Sequence, residues 1–451
     1  MKILVVSESL GGPSHRRGIF HFTRELVRSL AEAGHQLTLL VETTQRYRWL
    51  RKQGRRMGLF SAESHVIELL ALYRVLDEKV PVIDPSLGPL RRAADWLGRR
   101  FRTLSLREFG TCLLRACGIL QVRANLIGNK TSQLEYIPAD LSYLPLFQTL
   151  SLEPGFFNYQ SISSLTRLPP PRINARGFDV ILVDTPTKAV IERDASARVV
   201  CVIHDLLPLT DIRLPDVATQ LFLSRLLTSL GQADELAFVS NYTLGRFKDL
   251  FPQFAHLPAR VVYPRTLFEA PHVGSRSVPS TARPAFVVIV SEDPRKNLSG
   301  VIRAFRKMPE ADLVVIGRTG KSDLMRDLPS NIRCVGYVSE AEKASLIADA
   351  YGLIMPSFAE GFGVPIIEAL AANTPVLCSD IPVFREVAGD LADYFDPSSP
   401  ESICESVMRV SAQQQEWRQR IWERREDLAG RFGHQSQARD FFDQLSLMKA
   451  L

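Results

Sequence analysis

The chain opens with a short apolar run followed by an amphipathic stretch. Residues 2–7 have the pattern of a buried strand, and the loop that follows, 8–18, is rich in Gly, Ser and Pro. Apolar residues then recur at helical spacing until Gly34, a typical helix stop, and residues 36–42 are again strand-like. This order predicts a βαβ unit of a parallel sheet, with its loop at the carboxyl end of the first strand, where open α/β sheets bind ligands.

Strand-length apolar runs repeat along the rest of the chain in two series. A stretch rich in Pro, Ser and Gly, residues 271–284, separates the series and has the composition of a linker. The predicted strands are 178–184, 199–205, 235–240 and 260–263 before it, and 286–291, 313–317, 332–335, 352–355 and 375–379 after it. The pattern predicts an α/β protein with two Rossmann-like domains in tandem.

Three regions are expected from this organisation. An N-terminal Rossmann-like domain covers residues 1–275 and includes a less regular elaboration at 45–175. A C-terminal Rossmann-like domain covers residues 284–430. Residues 431–451 are predicted to form a C-terminal helix that packs back on the N-terminal domain.

Composition excludes several classes of protein. A chain of 451 residues with 45% hydrophobic and 23% charged residues is globular rather than disordered or fibrous. No apolar run approaches the roughly 18 residues of a spanning helix, and the first apolar run is too short for a signal-peptide core. The six cysteines form no CxxC motif. We therefore expect a cytoplasmic protein.

Charge is unevenly distributed along the chain. Residues 1–283 hold 36 Lys and Arg against 25 Asp and Glu, a balance of +11, whereas residues 284–451 hold 19 against 24, a balance of −5. Much of the excess lies at 46–107, with 14 basic and 6 acidic residues. Such a field favours an anionic partner such as lipid head groups or nucleic acid, and a solvated basic face is the alternative.

The stretch around residue 360 carries the most specific chemistry. Gly361 and Gly363 precede Pro365, which favours the first turn of a helix. Such glycines let the backbone approach a ligand, and the unpaired amides of a helix N-terminus stabilise a phosphate. Glu360 and Glu368 flank this terminus, and carboxylates at such a position suit the hydroxyl groups of a sugar or ribose. An ordinary strand–loop–helix corner with a solvated Glu368 is the alternative.

Other candidate groups follow predicted strands at the carboxyl edge of a sheet. Lys296 can neutralise a departing diphosphate there, and the turn at 336–338 can supply backbone groups to a flat base, although both also suit ordinary solvated turns. His204 can bind a hydroxyl group or shuttle a proton, and a buried core histidine is the alternative. His15 and His21 have no metal-ligand partners nearby in the sequence, so no metal is assigned.

These motifs resemble those of the retaining glycosyltransferases of family 4, which share the GT-B fold. The resemblance is carried by Glu360 and Glu368 with seven residues between them, AANTPVLCSD at 371–380, PRKN at 294–297 and VIHDLLPL at 202–209. It extends to ADELAFVSNYT at 233–243 and VVYP at 261–264, whereas residues 45–175 match no named motif. The resemblance implies two Rossmann-like domains with the active site in the cleft between them.

The resemblance also implies residue roles. A nucleotide sugar is expected on the second domain and an acceptor on the first. The catalytic residues implied are His204, Lys296 and Glu360. The donor-binding residues implied are Gly18, Arg295, Lys296, Val338, Glu360, Gly361, Phe362, Gly363, Val364 and Glu368.

Two positions depart from the family pattern. Val290 stands six residues before the phosphate lysine, where family members often have arginine, so more of the diphosphate charge falls to Arg295 and Lys296. The first glycine loop reads Gly18-Ile19-Phe20 where the family often has a second glycine, so a side chain occupies a place where the backbone often nears the donor.

We therefore predict a metal-independent, retaining hexosyltransferase of surface polysaccharide synthesis that needs no cofactor. GDP-mannose is the first candidate for the nucleotide-sugar co-substrate and a UDP-sugar the second. The acceptor is a glycan or a lipid-linked glycan, and the basic 46–107 region is expected to dock on the inner face of a membrane rather than on nucleic acid. The alternatives are a non-catalytic sugar-nucleotide-binding scaffold and a GT-B sugar-nucleotide epimerase.

Overall fold

The protein is described by a computed structural model. The residues whose structure is described are 1–10, 18–41, 123–124, 146–147, 149–152, 156–165, 168–211, 216–266, 268, 283–291, 293–317 and 327–433. The basic 46–107 region and His15 lie outside them, as do most of the predicted linker, of the predicted 431–451 helix and of the predicted elaboration at 45–175.

The first series of elements builds a seven-stranded sheet and a small three-stranded one. The strands are β1 Lys2–Val6, β2 Gln36–Val41, β3 Arg123–Ala124, β4 Thr149–Leu152, β5 Arg172–Asn174, β6 Val180–Val183, β7 Val190–Glu192, β8 Arg198–Ile203, β9 Glu235–Phe238 and β10 Ala259–Val261. The helices are α1 Gly18–Glu32, α2 Phe156–Leu165, α3 Leu207–Thr210, α4 Asp216–Leu230 and α5 Asn241–Leu250. The large sheet has the order β10-β9-β8-β6-β1-β2-β4, and the small one β3-β5-β7.

The central strands of this sheet are covered on both faces. Strand β1 pairs in parallel with β2 and with β6, and its residues Ile3, Leu4 and Val5 have no exposed surface. Such continuous burial is typical of parallel strands in α/β proteins. Leu26 and Leu30 of α1 are buried at the spacing predicted from the sequence. The predicted opening βαβ unit is therefore present.

The second series of elements builds a six-stranded sheet. The strands are β11 Ala285–Val290, β12 Asp312–Gly317, β13 Ile332–Gly336, β14 Gly352–Met355, β15 Val376–Ser379 and β16 Ala392–Phe395. The helices are α6 Leu298–Phe305, α7 Glu340–Asp349, α8 Val364–Ala371, α9 Pro382–Ala388, α10 Pro400–Ala412, α11 Gln414–Glu423 and α12 Arg425–Phe432. In addition, Pro294–Lys296 forms one 3₁₀ turn.

All the pairings in the second sheet are parallel, and its strand order is β13-β12-β11-β14-β15-β16. Numbered within the sheet this is 3-2-1-4-5-6, the order of a doubly wound Rossmann sheet. The order reverses between β11 and β14, and the carboxyl ends of the strands at such a reversal form the usual ligand site. The predicted fold class, α/β with two Rossmann-like sheets, is confirmed.

The described residues divide into two compact units. The first draws on Met1–Ile203, Pro215–Ala237 and His256–Ala259, and the second on His204–Leu214, Phe238–Ala255 and Arg260–Leu451. Two short segments from between strands of the first sheet therefore pack with the second unit. The sequence had assigned them to the N-terminal domain, because local pattern does not record which neighbours a loop acquires.

Among the described helices, none has both the length and the apolar character needed to cross a bilayer.

The half-buried guanidinium of Arg418 joins three elements of the second unit. The guanidinium of Arg418, on α11, donates hydrogen bonds to the carbonyl oxygens of Asn373 (3.0 Å) and Ala350 (2.9 Å), just beyond the ends of α8 and α7. The last carbonyls of a helix lack internal partners and carry partial negative charge, so a cation there is stabilising. Burial lowers the pKa of Arg418, but an arginine remains charged at neutral pH.

We expect Arg418→Met to lower the free energy of unfolding by about 2 kcal/mol, because it keeps the apolar stem and removes charged hydrogen bonds to buried carbonyls. Urea denaturation followed by tryptophan fluorescence measures the change. Arg424→Met is the control, since Arg424 only makes an exposed 3.4 Å ion pair with Asp390. An equal loss in the two variants would contradict the capping role.

Candidate active site

The candidate site is built at the carboxyl ends of β11 and β14. After β11 the chain turns through Pro294–Lys296 into α6, and after β14 it runs through a loop into α8. Residues 360–364, at the end of that loop and the start of α8, are called the 360–364 loop below. Because β11 and β14 are paired neighbours, the two connections begin side by side.

The first connection is a short turn capped at both ends. The carboxylate of Asp293 accepts a hydrogen bond from the amide of Arg295 (3.0 Å) and so caps the 3₁₀ turn. Asn297 has a left-handed backbone (φ 50°), and its side chain accepts a hydrogen bond from the amide of Gly300 and donates one to the carbonyl of Pro397. Asparagine tolerates this conformation better than most residues. These contacts hold Lys296 between two fixed points.

The two cations of the turn have different partners. Arg295 forms a bidentate pair with Asp293, at 2.9 Å from Nε and 2.5 Å from Nη2 to Oδ2. Burial alone would raise the pKa of Asp293, but the hydrogen bonds from Arg295 outweigh it and the pKa lies below its ordinary value. Lys296 instead donates to Oε1 of Glu360 at 2.5 Å, with side-chain exposures of 26% and 13%. Lys296 and Glu360, predicted from separate motifs, are in contact.

A backbone bond also joins the two connections. The amide of Phe358 donates to the carbonyl of Arg295 at 2.8 Å. The loop after β14 is therefore attached to the turn after β11 both through the main chain and through the pair of Lys296 and Glu360. Arg295 and Lys296 consequently have a fixed distance to the 360–364 loop.

Gly361 lies in a space too small for any side chain. A Cβ atom at this position would be 2.2 Å from the carbonyl oxygen of His204 and 2.9 Å from Cβ of Asp205. His204, predicted to be catalytic, follows the last residue of β8 and is half-buried, with its backbone against the loop. Gly361 is required because backbone, not a flexible side chain, occupies the position.

The amides of the 360–364 loop are available to a ligand. Within the described residues, the N–H groups of Phe362, Gly363 and Val364 make no hydrogen bond. They form the start of α8, where Gly363 has a left-handed backbone (φ 102°) and lies against Phe384. Three unpaired amides in sequence, next to Glu360 and its partner Lys296, can bind an anion.

An aromatic cluster fixes the side chain of Phe362. Its ring lies 5.8 Å from the ring of Tyr263 and 5.9 Å from that of Phe432 at the end of α12. The exposed fraction of Phe362 is 4%. Phe362 was expected to bind the donor, and the structure shows that its side chain is a buried anchor, so only its backbone can serve a ligand.

Glu368 is paired with a lysine that the sequence analysis did not single out. Lys343 of α7 donates to Oε1 of Glu368 at 2.8 Å and also lies 2.9 Å from Glu340. Burial alone would lower the pKa of Lys343, but the charges of Glu368 and Glu340 raise it above its ordinary value. The other oxygen of Glu368, Oε2, is buried and has no hydrogen-bond partner among the described residues. The alternative of a solvated Glu368 is therefore wrong.

Two more of the predicted residues belong to other elements. Val338 is half-buried in the turn after β13, and Gly18 begins α1 in the first unit. The two departures from the family pattern are core residues: Val290 is 5% exposed at the end of β11, and Phe20 is 2% exposed in α1. Neither side chain is placed to meet a ligand.

Asp205 was not predicted as a site residue, although its neighbour His204 was. Its carboxylate accepts a hydrogen bond from the amide of Leu207 (3.1 Å). Burial raises its pKa, and the amide of Leu207 and the charge of Arg295 oppose this only in part. The charge of Glu360 also raises the pKa of Asp205, and the charge of Lys296 lowers it. The site thus brings three carboxyl groups near two cations.

No group of three or more His, Cys, Asp and Glu side chains that could hold a metal ion occurs in the part of the chain that the structure describes.

Comparison with known proteins identifies the segment that contains this site. Residues 276–427 match the family described as glycosyl transferases group 1. O-antigen chain mannosyltransferase B of Escherichia coli is 33% identical over 139 residues, which cover 28% of this chain and 36% of that protein. Serotype-specific mannosyltransferase WbdA of the same organism is 29% identical over 247 residues, 48% of this chain and 30% of its own length. The matches therefore span well under half of each of these curated relatives.

Solved structures share the fold over nearly the whole chain. Sucrose-phosphate synthase from Thermosynechococcus elongatus has a TM-score of 0.60 at 14% identity and covers 100% of this chain and 99% of its own. HepE of Anabaena, solved with UDP and glucose, has a TM-score of 0.58 at 13% identity and covers 99% of both. The chain has the GT-B fold, and residues 276–427 resemble the glycosyl transferases group 1 family.

Asp205→Asn should change how stability depends on pH. The folded-state pKa of Asp205 is raised above the unfolded value of about 3.9, so its contribution to stability is present at low pH and is lost as the pH rises through the folded-state pKa. The asparagine keeps the acceptor for Leu207 and does not ionise. We expect the variant to gain stability relative to the unmodified protein as the pH rises from about 4 to 8.

Urea denaturation at several pH values measures this difference. Asp249→Asn is the control, because Asp249 is exposed on α5 with only a 3.5 Å contact to Arg246. Parallel stability curves for Asp205→Asn and the unmodified protein would show that Asp205 is not perturbed by its surroundings.

Gly361→Ala should displace the 360–364 loop, because the new Cβ would overlap the carbonyl of His204. We expect a loss of about 1–3 kcal/mol in the free energy of unfolding. Gly245→Ala is the matched control. A Cβ atom added to Gly245, in α5, would have no other atom within 4 Å outside its own helix turn, and alanine there should stabilise the helix by up to about 1 kcal/mol. Thermal unfolding compares them, and a Gly361→Ala protein as stable as Gly245→Ala would refute the packing argument.

Proposed function

We propose that the chain is a retaining glycosyltransferase of family 4 that moves a hexose from a nucleotide sugar to a glycan acceptor. The observation that carries the proposal is the convergence of Lys296, Glu360 and the unpaired amides of Phe362, Gly363 and Val364 in one place. Amides and an ammonium group bind phosphate, and a carboxylate binds sugar hydroxyl groups. A nucleoside diphosphate sugar carries both kinds of group next to each other.

The donor diphosphate is proposed to bind at the positively polarised part of the site, beside Lys296 and the start of α8. The amides at the start of α8 and the ammonium group of Lys296 stabilise negative charge on the phosphate oxygens. Arg295 adds a fixed positive charge while it remains paired with Asp293. Lys296 has three donors, so it can bind a phosphate oxygen while one N–H stays directed at Glu360.

Glu360 and Glu368 are proposed to bind hydroxyl groups at the two ends of the donor. Glu360 is held by Lys296 and accepts from the hexose. Glu368 is held by Lys343 through Oε1, and its buried, unpartnered Oε2 suits a ribose hydroxyl. A buried carboxylate oxygen without a partner is costly, so a hydroxyl donor from a ligand would be stabilising there. The turn that contains Val338 is proposed to meet the base.

The chemical step needs no carboxylate nucleophile in this proposal. The acceptor oxygen bonds to the anomeric carbon on the face from which the diphosphate leaves, the bond from that carbon to the β-phosphate oxygen breaks, and the acceptor proton passes to the leaving phosphate. The chain contributes orientation, through Glu360 and His204, and stabilisation of the leaving group, through Lys296 and the amides. No metal is required by this scheme.

Mannose is the first candidate for the transferred sugar, and GDP-mannose for the donor. Support comes from the names of the relatives, which include the O-antigen chain and WbdA mannosyltransferases and the phosphatidyl-myo-inositol mannosyltransferase of Mycolicibacterium smegmatis, 33% identical over 107 residues. A UDP-sugar is the second candidate. A surface glycan or lipid-linked glycan is the proposed acceptor, and docking on an anionic membrane through residues 46–107 remains a prediction from the sequence.

Lys296→Met should reduce transfer from GDP-mannose at least about 100-fold, because it removes the cation that stabilises the leaving diphosphate. Release of GDP in the presence of a mannan-type acceptor measures transfer, and circular dichroism checks folding. Lys307→Met is the control, since Lys307 pairs with Glu401 on the exposed surface and should leave the rate within twofold.

The same assay separates the alternatives. Binding of nucleotide sugars without turnover, across GDP-, UDP- and ADP-sugars and several acceptors, would indicate a scaffold. Conversion of the donor sugar with no acceptor and no release of nucleotide would indicate an epimerase. Full activity in Lys296→Met would overturn the assignment of the leaving-group site.

A further inference from the structure

Two hydroxyl groups at the start of α5 reach the candidate site from a part of the chain that the family resemblance did not use for any role. Ser240 is the N-cap of α5: its backbone is extended, and its Oγ accepts a hydrogen bond from the amide of Thr243 at 3.0 Å. The exposed fractions of Ser240 and Thr243 are 0% and 2%. The cap uses only one acceptor lone pair of Ser240, which leaves the hydroxyl hydrogen for another bond.

Both hydroxyls are bonded to the carbonyl oxygen of Gly361. Ser240 Oγ donates to it at 2.8 Å and Thr243 Oγ1 at 3.2 Å, and the two hydroxyl oxygens lie 2.9 Å apart. The cap and this contact do not compete, since the cap uses an acceptor site of Ser240 and the contact uses its hydrogen. A carbonyl oxygen has two lone pairs and can accept both bonds.

The direction of the Gly361 carbonyl fixes the direction of the next amide. A trans peptide is planar, so its C=O and the following N–H point in opposite directions. Because the carbonyl of Gly361 points at Ser240 and Thr243, the N–H of Phe362 points away from α5. That N–H is one of the unpaired amides to which we assigned the diphosphate.

The opposite side of the residue is blocked as well. Gly361 lies so close to the carbonyl of His204 and to Asp205 that even a Cβ would overlap them. The start of α5 is itself held in place, because the carboxylate of Glu386 accepts hydrogen bonds from the amides of Asn241 (2.6 Å) and Tyr242 (2.7 Å). The two hydroxyl groups are therefore fixed in position. The peptide between residues 361 and 362 is confined by Ser240 and Thr243 on one side and by His204 and Asp205 on the other.

We propose that Ser240 and Thr243 are positioning residues of the transfer reaction, which orient the Gly361–Phe362 peptide so that the amide of Phe362 meets the donor diphosphate. The inference rests on the proposed function for its catalytic consequence. The orientation of the peptide is a property of the protein alone and is tested separately.

The kinetic test uses Ser240→Ala, Thr243→Val and the double variant. Thr243→Val keeps the shape of the side chain and removes only the hydroxyl. Loss of one bond to the carbonyl should lower kcat/KM for the donor at least about fivefold, and loss of both bonds at least about 20-fold. Most of the change should be in kcat, because a misdirected amide stabilises the leaving group less. Ser240→Thr and Thr243→Ser keep the hydroxyls and should restore kcat/KM to within about threefold.

Ser399→Ala is the matched control for helix capping. Ser399 is the N-cap of α10 and accepts from the amide of Ser402 at 3.1 Å, and within the described residues it makes no hydrogen bond with the 360–364 loop. Its loss should lower the melting temperature as Ser240→Ala does and leave kcat/KM within twofold. Equal effects of Ser240→Ala and Ser399→Ala on kcat/KM would overturn the proposal.

Hydrogen exchange of the ligand-free protein tests the orientation without any assay of activity. The amides of Phe358 and Ile366 are bonded to the carbonyls of Arg295 and Gly363 on either side of the peptide. Both should exchange at least about fivefold faster in the double variant than in Ser399→Ala, and unchanged exchange would refute the positioning role. Exchange could rise in the double variant while the unmodified protein transfers sugar from no nucleotide sugar. That combination would refute the proposed function and would support the positioning of the peptide by Ser240 and Thr243.

Discussion

The ion pair between Lys296 and Glu360 is the contact that makes two separate loops into one site. Both side chains are largely shielded from water, so either charge alone would be costly and the pair constrains both loops. Lys296 follows β11 and Glu360 follows β14, and these strands are neighbours only because the sheet reverses its order between them. The candidate site of the second unit is thus a consequence of strand order, and the ion pair and the Phe358–Arg295 backbone bond fix its two loops more closely.

The balance of charge around this pair is the basis for proposing a polyanionic ligand that also carries hydroxyl groups. Asp205, Asp293 and Glu360 supply three carboxyl groups near Arg295 and Lys296. Arg295 is ion-paired with Asp293, and Lys296 is ion-paired with Glu360. The unpaired amides of α8 then leave a positively polarised surface beside a carboxylate. A phosphate and a sugar hydroxyl satisfy the two parts together.

Much of the fold could be predicted from local pattern. The apolar runs placed most of the strands within a few residues, and the strand, glycine and proline signals around residue 360 predicted where α8 begins. Strand β16, Ala392–Phe395, was missed because its sequence ADYF has no continuous apolar run, and only packing against β15 makes it a strand. Lys343 was missed for a similar reason: a lysine on a polar helix has no local signal that it meets Glu368.

The sequence by itself determined the types of group at the site and their local setting: a lysine in a turn after one strand, and a glutamate, two glycines and a helix start after another. Only the tertiary structure decided which groups meet. It paired Lys296 with Glu360, buried Phe362 as an anchor, and brought Ser240 and Thr243 to the carbonyl of Gly361 across 118 to 121 residues of chain. The physical reason is that hydrogen bonds and ion pairs act over a few ångströms, whereas sequence patterns record only the neighbours along the chain.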